Sequence, residues 1–72
     1  MTSGEQLRAL PESDDVYLTP QWVALYLSRS VAALAGMRHR GTGPKFTKAG
    51  GRIRYRSGDV RAWLEAGSRD AT

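Results

Sequence analysis

Apolar residues recur at helical spacing in three parts of the chain and alternate with polar residues in a fourth. The first helix is predicted to begin at Thr19 and Pro20. Threonine accepts a hydrogen bond from a free N–H group of the first turn, and proline at the first helical position has no N–H to leave unpaired. The helix should run to about Leu27, with Val23, Ala24 and Leu27 facing the core.

A second helix should follow a short polar break. Ser30 is the expected N-cap, and the helix is predicted to run from Val31 to about His39. Leu34 and Met37 lie three residues apart and should both face inward. Two short helices joined by a tight turn predict a helix-turn-helix.

A β-hairpin is predicted next, with strands at residues 45–48 and 52–56 and a glycine-rich turn at residues 49–51. Side chains alternate between the two faces of a strand, so Ile53 and Tyr55 share one face and the three arginines of the second strand share the other. We expect the apolar face to close the core and the arginine face to be left for a polyanion.

A last helix should begin near Gly58, a tolerable cap residue, and end near Gly67. Its apolar stripe is Val60, Trp63 and Leu64. Together these elements predict an α+β fold, a small winged helix-turn-helix with two short helices, a β-hairpin wing and a C-terminal helix.

The length of the chain allows one small domain. Residues 1–15 are polar and acidic, and we expect a flexible tail there, with at most one helical turn at residues 6–10. The winged helix-turn-helix should occupy residues 16–67, and residues 68–72 should fray.

Charge is distributed unevenly. Residues 1–15 carry four acidic residues against one arginine, a net charge of −3, whereas the remaining residues carry ten basic against three acidic, a net charge of +7. Seven of the basic residues fall between Arg38 and Arg56, where there is no aspartate or glutamate. A surface that merely keeps a protein soluble mixes both signs, whereas a strongly basic region usually binds a polyanion.

Catalysis finds little support in the sequence. The one histidine, His39, has no carboxylate partner at helical spacing, and no glycine pattern matches a nucleotide-binding loop. The absence of cysteine excludes disulfides and thiolate metal sites. We therefore expect no enzymatic activity, no cofactor and no metal site.

Membrane insertion is not expected either. No unbroken apolar run in the sequence is long enough to cross a bilayer, and the N-terminus lacks the pattern of a secretion signal. The sequence predicts a protein of the cytoplasm.

A hairpin beside a helix-turn-helix is a winged-helix arrangement, in which the second helix enters the major groove of DNA and the hairpin lies along the adjacent backbone or minor groove. Lys48 and Arg52 flank the predicted turn, so they should reach furthest into a groove. The side chains better placed for phosphates are Lys45, Arg54, Arg38 and Arg40.

The second helix offers few side chains that could hydrogen-bond base edges. Only Arg38 and His39, late in the helix, have that capacity, although small residues can approach the bases and touch a thymine methyl group. We therefore expect modest sequence specificity from one copy. Gly36 is explained equally by close approach to DNA and by its nearness to the helix end.

The first helix has apolar residues beyond those that face the core. If Val23 and Ala24 face the core, Trp22 and Leu25 point elsewhere and form a patch. Two explanations are open: Leu7 and Leu10 of the tail fold over this patch, or it contacts another protein, as exposed aromatic patches often do.

Four stretches carry a family resemblance: YLTP at residues 17–20, RGTGPKF at 40–46, GGRIRYR at 50–56 and DVRAWL at 59–64. In this order and spacing they resemble the excisionase-like winged-helix family, which is related to the DNA-binding domains of MerR-type regulators. The resemblance implies a small DNA-binding protein of a phage or mobile element. It would place Ser30 and the start of the second helix in the major groove.

What the resemblance implies about function has two forms. In one, the protein is an excisionase, a recombination directionality factor that binds and bends attachment-site DNA cooperatively and directs a phage integrase of the tyrosine type toward excision. In the other, it is a small transcriptional regulator. A rival of a different class is an adaptor whose basic face binds an acidic protein or RNA.

The expected partners are double-stranded DNA, the integrase and other copies of the chain, in the host cytoplasm. The predicted DNA-binding residues are Arg29, Ser30, Ala32, Ala35, Arg38, His39, Arg40, Lys45, Lys48, Gly50, Arg52 and Arg54, and the predicted protein-interface residues are Trp22 and Leu25.

The chain also departs from the family pattern. The family often has Gly-Val at the positions of Ser28 and Arg29, polar residues at those of Ala35 and Gly36, and a charged residue at that of Trp22. These departures favour an architectural, cooperative binder over a stringent reader of a single site.

Overall fold

Three helices and a three-stranded antiparallel sheet make up residues 9–68, the part of the chain that this computed structural model describes. The elements in chain order are β1 (Tyr17–Leu18), α1 (Pro20–Tyr26), α2 (Val31–Arg40), β2 (Thr47–Ala49), β3 (Arg52–Arg56) and α3 (Ser57–Ser68). The order of strands in the sheet is β1-β3-β2. This architecture confirms the predicted α+β winged helix-turn-helix. Most of the C-terminal segment that was expected to fray, and most of the helical turn expected at residues 6–10, lie outside the described residues.

The caps of α1 and α2 confirm the predicted starts of both helices. The Thr19 hydroxyl accepts a hydrogen bond from the Trp22 N–H at 3.0 Å, and the Ser30 hydroxyl accepts one from the Ala33 N–H at the same distance. Proline occupies the first position of α1. Each cap pairs one N–H group that the helix cannot bond internally.

Both helices end through a residue in the left-handed region of backbone space. Ser28 follows α1 with φ 58°, and Gly41 follows α2 with φ 73°. At each end the last carbonyls accept from N–H groups three and five residues further on, the Schellman pattern. Glycine adopts this conformation freely, whereas a residue with a Cβ is strained there.

We therefore expect opposite effects from a reciprocal pair of variants. Ser28→Gly should raise the free energy of unfolding by about 1 kcal/mol, because it relieves strain at an exposed position. Gly41→Ser should lower it by about the same amount, since a Cβ there would meet no other atom and only the backbone strain is added. Urea unfolding measures both. A loss of stability in Ser28→Gly would contradict the strain argument.

The core lies between α1 and α2 on one side and β3 and α3 on the other. Tyr55 of β3 and Leu34 of α2 are completely buried, and the half-buried Trp63 and Leu64 of α3 pack against the core. The inward positions predicted for all three helices are confirmed, although Leu27 is only half-buried at the end of α1. The buried apolar residues are Leu18, Val23, Ala24, Leu34, Met37, Tyr55 and Val60.

The hairpin pairs in a different register from the predicted one. Its turn is the two-residue Gly50-Gly51, with φ values of 59° and 79°, the conformation that glycine pairs favour in tight hairpins. Ala49 therefore belongs to β2 and pairs with Arg52, while Lys48 pairs with Ile53. The prediction of a three-residue turn was wrong, and so was the start of the first strand, which begins at Thr47. A shift of one residue moves a side chain to the other face of the hairpin.

The chain before β1 is joined to the start of α3, a contact the sequence analysis did not predict. The buried Ser57 hydroxyl accepts from the Val16 N–H at 3.2 Å and donates to the Ser13 carbonyl at 2.6 Å. The Gly58 N–H donates to the Asp14 carbonyl at 3.0 Å. Ordered contacts thus begin earlier in the chain than the expected start near Val16.

Gly58 is the second residue of α3, and its role differs from the predicted one of a cap. A Cβ at this position would lie 2.7 Å from the Asp14 Cβ. Glycine is needed here because the N-terminal segment crosses directly over the first turn of the helix.

Candidate nucleic-acid interface

The solvent face of α2 near its start is apolar, as the sequence predicts. Val31 is 42% exposed, Ala32 is exposed and Ala35 is half-buried. The Ser30 hydroxyl already accepts the hydrogen bond that caps the helix. Ala32, Ala35 and the exposed His39 fall at i, i+3 and i+7, so one face of α2 runs from small residues to a single imidazole.

Gly36 lies beneath the side chain of Arg40. A Cβ at this position would lie 3.1 Å from the Arg40 Nη1 atom. The Arg40 side chain therefore folds back along α2 over the glycine, one turn earlier. Approach to DNA and nearness to the helix end were the two explanations open from the sequence, and the structure adds contact with a side chain four residues further along the same helix.

Arg38 lies against the base of the wing. Its Nη1 donates to the Tyr55 hydroxyl at 2.7 Å, and its guanidinium carbon lies 5.9 Å from the centre of the Phe46 ring and 6.0 Å from that of Tyr55. The two rings are tilted by 57° with centres 6.4 Å apart. Sequence reasoning had placed Arg38 among the phosphate contacts and had missed both aromatic residues that hold it.

The wing carries cations on both of its faces. Arg52 and Arg54 share the outer face, and Lys48, which pairs with Ile53, lies on the other. Lys48 and Arg52 are exposed, whereas Arg54 is half-buried and donates to the Ile53 carbonyl at 2.7 Å. The predicted turn residue Gly50 is exposed at the tip.

Arg56, the third arginine of β3, is occupied by acidic partners. Its guanidinium lies 3.1 Å from the Asp15 carboxylate and 3.4 Å from that of Asp59. The hydrogen bond that Arg56 donates to the Asp15 carboxylate is the main reason why the pKa of Arg56 is raised above its ordinary value. The arginine face of this strand was expected to be left for a polyanion, whereas the Arg56 guanidinium is already paired with two carboxylates.

A second arginine is paired in the same region. Arg61 of α3 bonds the Asp14 carboxylate and the Pro11 carbonyl. Within residues 9–68 the ion pairs involve Arg56 and Arg61 and leave the cations of α2 and the wing tip without a carboxylate. The acidic segment that was predicted to be part of the tail thus neutralises Arg56 and Arg61. The exposed basic side chains elsewhere are Arg29, His39, Arg40, Lys45, Lys48 and Arg52.

The loop between α2 and the wing is held from α3. The Trp63 indole N–H donates to the Thr42 carbonyl at 3.1 Å. Trp63 was predicted only as a core residue, and its polar edge gave no signal in the sequence. The contact ties the loop to the last helix beside the end of α2.

The two predicted protein-interface residues have different surroundings. Leu25 is 61% exposed. Trp22 is half-buried, packs against the core and stacks on Tyr26 with ring centres 5.3 Å apart. Leu10 also packs against the core, whereas Leu7 lies outside the described residues. A protein contact at Leu25 stays a prediction.

Two kinds of site are not found in the described part of the chain. No group of three or more histidine, cysteine, aspartate or glutamate side chains between residues 9 and 68 could hold a metal ion. The helices of this region are too short or too polar to cross a lipid bilayer.

Comparison with known proteins agrees with the geometry. A family model described as a helix-turn-helix domain matches residues 17–68, which covers β1 to the end of α3. The family typically binds DNA without enzymatic activity and is found in excisionase-like DNA-binding proteins. No curated protein matches the sequence of the chain.

Proposed function

Because the chain belongs to the helix-turn-helix domain family, we propose that it is a DNA-binding excisionase. It binds and bends attachment-site DNA cooperatively and so directs integrase-mediated phage excision. In the complex α2 enters the major groove, and the wing lies along the adjacent backbone or minor groove. The observation that carries the proposal is the wing tip, where Lys48 and Arg52 are exposed on opposite faces of the hairpin and form no ion pair within residues 9–68.

A wing tip with cations on both faces is better suited to bind in a DNA groove than on the flat surface of a polyanion. Both walls of a DNA groove are lined by phosphates, and the minor groove is only about 6 Å wide. Lys48 on one face and Arg52 on the other can each approach a different strand of the duplex. The two glycines at the tip carry no side chain to obstruct that approach.

The ion pairs around the start of α3 favour one orientation on DNA. Arg56 and Arg61 are neutralised by Asp14, Asp15 and Asp59, so the attraction for phosphate is concentrated at α2 and the wing tip. Phosphate contacts fix register and orientation on a duplex without reading its sequence.

The apolar face of α2 supports modest specificity for one copy. Val31 and Ala32 can touch thymine methyl groups but cannot hydrogen-bond a base edge. Sequence-dependent deformability of the DNA and contacts between neighbouring copies would supply the remaining selectivity. That combination fits a protein that lines up on adjacent sites and bends them.

Duplex DNA is favoured over RNA for a geometric reason. The major groove of an RNA helix is too deep and narrow for a helix to read, whereas that of DNA admits one. A transcriptional regulator of the same fold would use the same surface. The excisionase and the regulator differ in the process that follows DNA binding, excision in one case and control of transcription in the other. Only a functional assay separates them.

Titration of a labelled attachment-site duplex at several salt concentrations tests DNA binding. Six contacts, from Arg29, Arg40, Lys45, Lys48, Arg52 and Arg54, predict a slope of log affinity against log salt of roughly −5, and a loss of about a thousandfold between 50 and 200 mM salt. Footprinting on the same DNA should show several phased protections. A slope of log affinity against log salt near zero, or tighter binding to an RNA duplex than to DNA, would contradict the proposal.

An excision assay with the cognate integrase separates the two roles. Excision that depends on the protein, together with bent DNA in a circular-permutation gel, supports the excisionase. Unchanged excision with repression of a nearby promoter would favour the regulator.

A further inference from the structure

The junction between α2 and the wing is restrained more firmly than its sequence suggests. The connecting residues include Gly41, Gly43 and Pro44, and glycine leaves a backbone free to move. Two restraints oppose that freedom. The end of α2 is closed by a bond from the Thr42 N–H to the Met37 carbonyl at 2.9 Å, and the indole of α3 holds the carbonyl of the same threonine.

The third restraint is Arg38, which joins α2 directly to β3. Its hydrogen bond to Tyr55 connects residues 17 positions apart, and the Tyr55 ring is completely buried. Phe46, at the entry to the wing, covers the same guanidinium. The charged group is thus clamped between the helix and both ends of the hairpin.

We propose that Arg38 is a positioning residue, which fixes the wing relative to α2 so that both reach the duplex together, rather than a phosphate ligand. The inference rests on the proposed DNA binding and revises the role predicted for this residue. A half-buried guanidinium committed to a 2.7 Å hydrogen bond and two aromatic rings would have to leave these partners to meet a phosphate.

The physical advantage of such a clamp is pre-organisation. Two contacts held at a fixed spacing bind one duplex with a high effective concentration, because the second contact forms within the same molecule. Freedom at the junction would have to be lost on binding, and that loss would weaken affinity. Arg38 removes this freedom before DNA arrives.

Three variants separate positioning from phosphate contact. Tyr55→Phe keeps the charge and breaks the hydrogen bond, Arg38→Lys keeps the charge and loses the planar group, and Arg38→Met loses both. Positioning predicts that all three weaken binding to the attachment-site duplex by about 3- to 10-fold, the equivalent of one hydrogen bond, and that all three share the same salt slope. Tyr17→Phe, at an exposed tyrosine of β1, is the matched control and should change nothing.

Coupling between the helix and the wing gives a readout that a purely stabilising role would not move. In the wild-type background, Arg52→Gln should reduce the affinity for DNA by the full effect of one lost phosphate contact. In the Tyr55→Phe background the same change should cost less, since a loosely held wing contributes less. All measurements are made where each variant is fully folded, as its unfolding curve establishes.

Hydrogen exchange without DNA tests the clamp separately from DNA binding. Amide protons of β2 and β3 should exchange faster in Tyr55→Phe than in Tyr17→Phe. Unchanged exchange overturns the clamp even if DNA binding is intact. A slope that becomes less steep by about 0.9 in Arg38→Met alone, with Arg38→Lys and Tyr55→Phe unaffected, identifies a phosphate contact instead and also overturns it. If the wild type fails to bind duplex DNA, the proposed function and this role of Arg38 fall together.

Discussion

Replacing Lys48 and Arg52 together by glutamine is expected to weaken binding to duplex DNA by about 60-fold at 0.1 M salt. Each phosphate contact contributes a slope of about −0.9, so at 0.1 M salt each one lost reduces affinity about eightfold. The salt slope should become less steep by about 1.8. Because the two side chains lie on opposite faces of the wing and contact different strands, the single effects should be additive.

The folded state should survive this double change. Both side chains are exposed, and neither forms an ion pair within residues 9–68. Substitutions at such surface positions alter the free energy of unfolding by no more than about 0.5 kcal/mol. Thermal unfolding of the variant checks that weaker binding is not caused by loss of structure.

A control with the same net charge distinguishes the contacts of the wing with DNA from the general electrostatic attraction due to net charge. Ala62→Glu with Ala66→Glu, at exposed positions of α3, lowers the net charge by the same two units. This control should leave the salt slope unchanged. If both double variants weakened binding equally, net charge and not the wing would account for affinity.

Leu34→Ala is expected to leave the protein largely unfolded at 37 °C and to refold when attachment-site DNA is added. Leu34 is completely buried in α2, and deleting its side chain from a core costs about 2.7–5 kcal/mol. A domain of this size rarely has more than about 3–5 kcal/mol of stability. DNA at a hundredfold excess over its Kd adds about 2.7 kcal/mol, which restores much of the folded state.

Fluorescence of Trp22 and Trp63 follows this transition with and without DNA. The matched control is Leu25→Ala, the same deletion at a leucine that is 61% exposed, and it should change stability by no more than about 0.5 kcal/mol. The control also tests the predicted protein contact, because a role for Leu25 between copies requires weaker cooperativity on DNA. A fully folded Leu34→Ala protein would contradict the expected energetics of the core.

The helices were largely predictable from sequence because their signals are local. Thr19 and Ser30 cap N–H groups three residues away, and Gly41 closes α2 within a few residues. Charge clustering along the chain likewise indicated a polyanionic partner without knowledge of the fold.

Two features of the sheet were missed because their signals are weak or distant. β1 is only two residues long, and Tyr17 pairs with a residue far along the chain, Arg56. The hairpin register depended on assigning Ala49 to strand or turn, and one residue decides which face Lys48 occupies.

The sequence by itself determined the order of the helices, their caps, the hairpin and the sign of the charge. Only the tertiary structure decided which cations are available: Arg38 is clamped by Tyr55, and Arg56 and Arg61 are paired with carboxylates 41 and 47 residues earlier in the chain. The physical reason is the distance along the chain over which each kind of interaction acts. Caps and periodicity act within a turn or two of helix, whereas an ion pair forms between any residues that packing brings together, and no local pattern records which acidic group will meet which arginine.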